Sequence, residues 1–247
     1  MQVGACSHVG NVREINEDAY FISNDEFKLF IVADGMGGHN AGEVASNIAI
    51  DSIVSYIEEN KDRLSECEDE AVDILREAII TANRNIFIKS QNESACHGMG
   101  TTLTLALILS KVYIGHVGDS RAYIVRNGEI SQITRDHSLV GELLRNGNIT
   151  EEEAKVHPQK NMITRAVGTE EDIKMDSYSL DFEKEDMIVL CTDGLSNLIE
   201  NSEMRNILSG SKDLNLACKH LIELANERGG NDNITVIAIR NSERKER

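Results

Sequence analysis

A chain of 247 residues with a single proline and 40% hydrophobic side chains is long enough to bury a sizeable core. Its 25 Lys and Arg against 42 Asp and Glu leave a formal charge of −17, which repels a nucleic-acid backbone and argues against binding one. Five cysteines, odd in number and without a Cys-x-x-Cys pair, argue against a disulfide framework or a zinc knuckle and point to reduced, buried thiols.

The elements follow in chain order. AYFIS (19–23) and KLFIVA (28–33) are β-rich runs, and two helical stripes come after them. Val44, Ala45, Ile48, Ala49, Ile53 and Ile57 mark the first stripe; Val72, Leu75, Ile79, Ala82 and Ile86 mark the second. Short strands are expected at TLTLALIL (102–109), VYIGHV (112–117), AYIVR (122–126) and EISQIT (129–134), with Asn127-Gly128 as a tight hairpin turn. The segment from Ser138 to Val167 breaks the rhythm and predicts a surface insertion of short helices. MIVLC (187–191), a helical stripe through Leu214, Ala217, Leu221 and Leu224, and ITVIAI (234–239) complete the chain. Hairpin-like strands with helices grouped apart predict an α+β layout of largely antiparallel sheets. No linker, repeat, basic leader or apolar run of roughly 20 residues interrupts it, so one cytoplasmic domain over residues 1–247, not inserted in a membrane, is expected.

VADGMGGHNAG (32–42) admits three readings: a turn, a phosphate-cradling loop, or part of a metal site. Asn40 stands where a dinucleotide fingerprint needs its third glycine, and the chain has no Gly-Lys pair for a P-loop, so the phosphate loop falls away. Turn and metal site are compatible, since a sharp turn at Gly35 would aim the Asp34 side chain and the next carbonyl the same way.

Aspartates recur at strand ends: Asp34, Asp119 in IGHVGDSR, Asp193 in IVLCTDGL, and Asp232 before NITVIAI. Each alone is best read as a turn residue. Four at one end of a sandwich would repel one another unless a cation lay between them. Oxygen donors alone favour Mg²⁺ or Mn²⁺ over zinc; Ca²⁺ stays open on donor type, although no EF-hand loop is present.

Assembled in order, VGNVREINED (9–18), VADGMGGHNAGEVAS (32–46), MGTT (99–102), VGDSRAY (117–123), RDHSLV (135–140), TRAVG (164–168), CTDGL (191–195) and NDNITV (231–236) resemble the metal-dependent type 2C protein Ser/Thr phosphatases, in their compact bacterial branch. The resemblance implies a four-layer αββα sandwich, two central antiparallel β-sheets flanked by helices, with two Mn²⁺ or Mg²⁺ at one end. By the same resemblance Asp34 would bridge both metals, Gly35 would add its backbone carbonyl, and Asp193 and Asp232 would bind the second metal. Glu17 and Asp18 would act through water, and Asp119 with Asp193 would take a third, weaker metal. Arg13 fits a phosphate clamp. His39 is either a loop histidine that packs or caps a helix, or the general acid for the departing oxygen. His116 and His137 are expected to be structural, and the segment at about 138–167 corresponds to a flap beside the site.

The implied activity is hydrolysis of phosphoserine and phosphothreonine on proteins, reversing a bacterial Ser/Thr kinase. Its partners would be phosphorylated proteins, that kinase and its substrates among them, and the protein is expected to be a monomer. The alternatives are a phosphoesterase acting on small molecules, and a phosphoprotein-binding regulator without catalysis. The intact set Asp34, Asp193 and Asp232 argues against the regulator.

Overall fold

The computed structural model describes residues 1–23, 27–38 and 41–242. Its strands are β1 (Gln2–His8), β2 (Asp18–Ile22), β3 (Lys28–Met36), β4 (Gly100–Thr101), β5 (Leu103–Ile108), β6 (Lys111–Val117), β7 (Arg121–Arg126), β8 (Glu129–Gln132), β9 (Asp176–Asp181), β10 (Met187–Cys191) and β11 (Ile234–Arg240). The helices are α1 (Ala41–Glu59), α2 (Lys61–Glu66), α3 (Ala71–Asn92), α4 (Leu139–Arg145), α5 (Glu151–Lys155), α6 (Asp193–Ser196), α7 (Asn201–Gly210) and α8 (Leu214–Glu227). One sheet runs β1-β11-β10-β7-β8, and the other β2-β3-β5-β6-β9 with β4 added on β3. The strands pair antiparallel throughout the described residues.

Alternation along the strands explains the layers. On β3, Leu29, Ile31 and Ala33 face α1 and α3, while Phe30 and Val32 face the other sheet. On β10 and β11, Val189, Cys191, Val236 and Ala238 pack under α8, while Ile188, Leu190, Ile237 and Ile239 meet Phe30 and Val32 between the sheets. Two helix layers therefore enclose two sheets, each side chain buried in the middle contributing about 1.5–3 kcal/mol. The expected α+β sandwich is what the chain forms.

Asn127 and Gly128 both adopt positive φ, 53° and 78°, and turn β7 into β8 as the pair predicted. Some elements had too little pattern to be foreseen. β1 and β9 are edge strands with few apolar residues, and α7 buries only Met204 and Leu208. The thiols are free as expected, but not all are buried: Cys67 is exposed and Cys6 half-buried, whereas Cys96, Cys191 and Cys218 are enclosed. No described helix is long and apolar enough to cross a membrane.

Candidate metal centre

The inter-sheet layer changes chemistry at one end. Phe30 and Val32 are followed on the same face of β3 by Asp34, and Asp18 on β2 stands directly opposite it. From the facing sheet, Ile188 and Leu190 lead to Thr192, and Ile239 and Ile237 lead to Thr235. Both threonine hydroxyls donate to Asp18 Oδ2, at 2.9 and 2.7 Å. The other oxygen, Oδ1, is buried without a partner. Two carboxylates directly opposed across an antiparallel pair repel each other unless something positive intervenes.

The remaining acids arrive from loops at the same end. A cleft of about 230 Å³ is lined by Arg13, Glu17, Asp34, Gly35, Asp119, Asp193 and Asp232, with Asn161 and Ile163 from beyond α5. Asp34, Asp119 and Asp193 keep part of their surface open to this cleft while lying deep among packed groups. Burial, reinforced by the other aspartates, pushes the Asp34 carboxyl well above the usual carboxylate range. The same cause, with Asp193 and Asp232 nearby, raises Asp18 to about 7. Asp119 rises to about 7 through burial and Asp193, and Asp193 to about 6 through burial and Asp232. Such a group must take up protons or share cations.

Among the described residues no three carboxylate, imidazole or thiol side chains converge to cage a single ion. The acids instead surround a cleft, an arrangement that suits hard cations completing their shells with water. The oxygen-only donors, the unpartnered Asp18 Oδ1 and the mutual repulsion all fit divalent metal.

Arg13 reaches over the cleft and donates to Asp232 Oδ2 at 3.0 Å. Its loop is held by Asn233, only 4% exposed, whose amide donates to the carbonyls of Val9 and Ile15 while its Oδ1 accepts the Glu17 N–H. Glu17 turns towards α1, its Oε1 accepting the Gly42 N–H at 3.2 Å. Asp34 is gripped through its backbone: Thr102 Oγ1 accepts its N–H, while Thr101 Oγ1 and the Thr102 N–H donate to its carbonyl.

Gly35 is not a turn. β3 continues through it to Met36, with Gly35 opposite Thr101, and its φ is not positive. Its requirement is space, because a Cβ there would lie 2.1 Å from the Gly42 carbonyl oxygen and 2.6 Å from that of Glu17. Gly194 answers to the same constraint, 2.0 Å from the Asn233 carbonyl oxygen. Each Asp-Gly pair thus joins a carboxylate to a close backbone crossing, with Asp193 opening α6 instead of a turn.

The sequence-derived residues Arg13, Glu17, Asp18, Asp34, Gly35, Asp119, Asp193 and Asp232 come together at this end of the sandwich. His39 lies outside the described residues. His116 and His137, whose tilted rings have centroids 4.8 Å apart, do not line the cleft; His116 is fully buried, bonded to Thr104 and the Arg135 carbonyl, and burial lowers it to about 4. Asn233, Met36 and Asn161 were not singled out; Asn233 was visible only as a member of NDNITV. The 138–167 segment contains α4, capped by Ser138, and α5, capped by a Thr150–Glu153 box, and it returns Asn161 and Ile163 to the cleft.

The chain matches the Protein phosphatase 2C family over residues 7–232. It is 41% identical to the serine/threonine phosphatase stp of Listeria welshimeri over 93% of this chain and 92% of that one. Serine/threonine phosphatase Stp1 from Staphylococcus aureus superposes with a TM-score of 0.87 at 34% identity, covering 97% of this chain and 94% of the other. The catalytic domain of serine/threonine protein phosphatase PstP, solved in complex with two manganese ions, gives 0.84 at 33% identity over 96% of each chain.

Proposed function

The chain belongs to the protein phosphatase 2C family, and from that premise we propose how its own residues carry out metal-dependent hydrolysis of phosphoserine and phosphothreonine on proteins. The observation that carries the reading is the ring of aspartates from both sheets around one cleft, with Arg13 above it and a buried, unpartnered carboxylate oxygen beneath.

Asp34, with the Gly35 carbonyl, would hold one divalent ion, and Asp34, Asp193 and Asp232 a second. Mn²⁺ or Mg²⁺ suits these donors. Asp18 and Glu17 would act through water, and Asp119 with Asp193 would offer a weaker third position. When bound, such ions neutralise phosphate charge and activate water near neutral pH. The Thr101 and Thr102 bonds to the Asp34 backbone fix the direction of its side chain before any ligand arrives. Arg13 presents a planar guanidinium that can pair two phosphate oxygens, and Asp232 keeps it poised at the cleft. His39 is assigned the general-acid role, to be tested by His39→Gln: unchanged turnover of a phosphopeptide removes it from the mechanism.

The chain is read as one catalytic domain over 1–247, with the flap at about 138–167. Its substrates are phosphoproteins, including a Ser/Thr kinase and that kinase's targets; it acts as a monomer in the cytoplasm. The deciding assay is release of phosphate from a phosphothreonine peptide with Mn²⁺, with and without chelator. Hydrolysis that persists in chelator overturns the metal-centred reading.

A further inference from the structure

Beside the acidic cleft lies a larger cavity of about 600 Å³, a size within the roughly 300–1,000 Å³ of ligand sites. The two meet at Met36 and Ile163, which line both. With Ala166 and Ile173 these side chains make an apolar floor. Glu170 and Asp172 stand exposed at its edge. Arg165 reaches the same wall, but its guanidinium is bonded to Asp176 at 2.9 Å and to the Lys174 carbonyl at 3.3 Å. Among the described residues lining the cavity, the remaining cation is Lys174.

The wall is built and held in place. Asn83 of α3, exposed by only 1%, accepts the Gly168 N–H at 2.6 Å and donates to the carbonyls of Glu170 and Glu171 at 2.9 and 3.0 Å. Val167 exchanges both backbone hydrogen bonds with Thr101, which pairs with Gly35 on β3. One hydrogen-bonded strip therefore joins the cavity wall to the strand that carries Asp34.

We propose that this cavity receives the extended segment of a phosphoprotein substrate next to its phosphoresidue, seating an apolar side chain on the floor and a basic side chain against Glu170 and Asp172. The proposal rests on the phosphoprotein reading above. A chain leaving a phosphate held in the cleft passes over Met36 and Ile163 to reach the larger cavity, because those two side chains line both spaces. Two carboxylates against one ammonium at the edge, on a chain of net charge −17, select a cationic partner.

The test uses phosphothreonine peptides carrying Leu-Arg, Leu-Asp or Gly-Gly on either side of the phosphoresidue, with p-nitrophenyl phosphate as a substrate that has no flanking segment to place in the cavity. Wild-type protein is expected to prefer a Leu-Arg flank on one side. Glu170→Lys combined with Asp172→Lys lowers kcat/KM on that peptide about tenfold, through KM, and raises it on the Leu-Asp peptide; Lys174→Glu acts in the opposite direction by about threefold. Aryl phosphate turnover stays unchanged in both variants, whose exposed positions do not threaten folding. An unaltered peptide ranking in the variants, or no flank preference in the wild type, overturns the cavity proposal. Hydrolysis of aryl phosphate but of no phosphopeptide overturns the phosphoprotein reading instead.

Discussion

Two carboxylates sit at opposite ends of the same strand neighbourhood and are treated in opposite ways. Asp186, just before β10, is 3% exposed, and Arg126 grips both its oxygens at 2.6–3.1 Å while the Glu183 N–H adds a third donor. Asp18, beyond the other end of β10, is 8% exposed and receives two threonine hydroxyls on one oxygen and nothing on the other. A structural carboxylate brings its cation with it, as Arg121 also does for Asp136 through a contact of 2.7 Å. Among the described residues the cluster at Asp18 and Asp34 has no side-chain cation of comparable fit, so its repulsion is a standing demand for an external one.

The sharpest way to break this contrast is Asp34→Ala. Loss of the acid common to both proposed ion positions is expected to lower Mn²⁺-dependent turnover of an aryl phosphate by roughly 10³ or more, with weaker Mn²⁺ binding by calorimetry. Asp186→Ala should do the reverse: denaturant titration shows a loss of about 2 kcal/mol from the partly buried Arg126 deprived of its carboxylate, while turnover at saturating Mn²⁺ holds. If both variants affected activity alike, the distinction between the two ends would be wrong.

A smaller effect concerns pH. Because Asp18, Asp119 and Asp193 have folded-state values raised to about 7, 7 and 6, folding of the chelated protein takes up protons. Their contribution to stability is present at low pH and is lost as pH rises through that range. His116, lowered to about 4, works oppositely, losing stability as pH falls below the ordinary histidine value. Chelated protein should therefore melt at lower temperature at about pH 8 than at about pH 6.5, and Mn²⁺ should restore most of the difference. A flat or rising melting temperature over that window would mean the acids do not repel as their placement requires. The smallest effect is Asp18→Asn, which removes one charge from the cluster and raises the melting temperature of chelated protein at about pH 8 by a few degrees, the shift expected for about 1 kcal/mol.

Much of this was written in the chain. The β-rich runs KLFIVA and ITVIAI, the stripes of α1 and α3, and the Asn127-Gly128 turn are local patterns that one segment reveals by itself. The recurrence of aspartate after apolar runs marked Asp34, Asp119, Asp193 and Asp232, and the ordered motifs added Arg13, Glu17 and Asp18. The strands β1 and β9 were illegible because QVGACSH and DSYSLD carry few apolar residues. Gly35 looked like a turn residue because Asp-Gly is so often one; the Gly42 and Glu17 carbonyls that crowd it belong to other segments.

Only the tertiary structure separated Asp18 from Asp186. Both are aspartates beside apolar strands, and nothing within a few residues of either says which will be neutralised. The answer depends on partners far away in sequence: Thr192 and Thr235, 174 and 217 residues from Asp18, and Arg126, 60 residues from Asp186. Local pattern determines which face of a strand an acid occupies. What stands across from that face, a guanidinium or an open cleft, is decided when two sheets pack, and that choice separates a structural ion pair from a site that calls for metal.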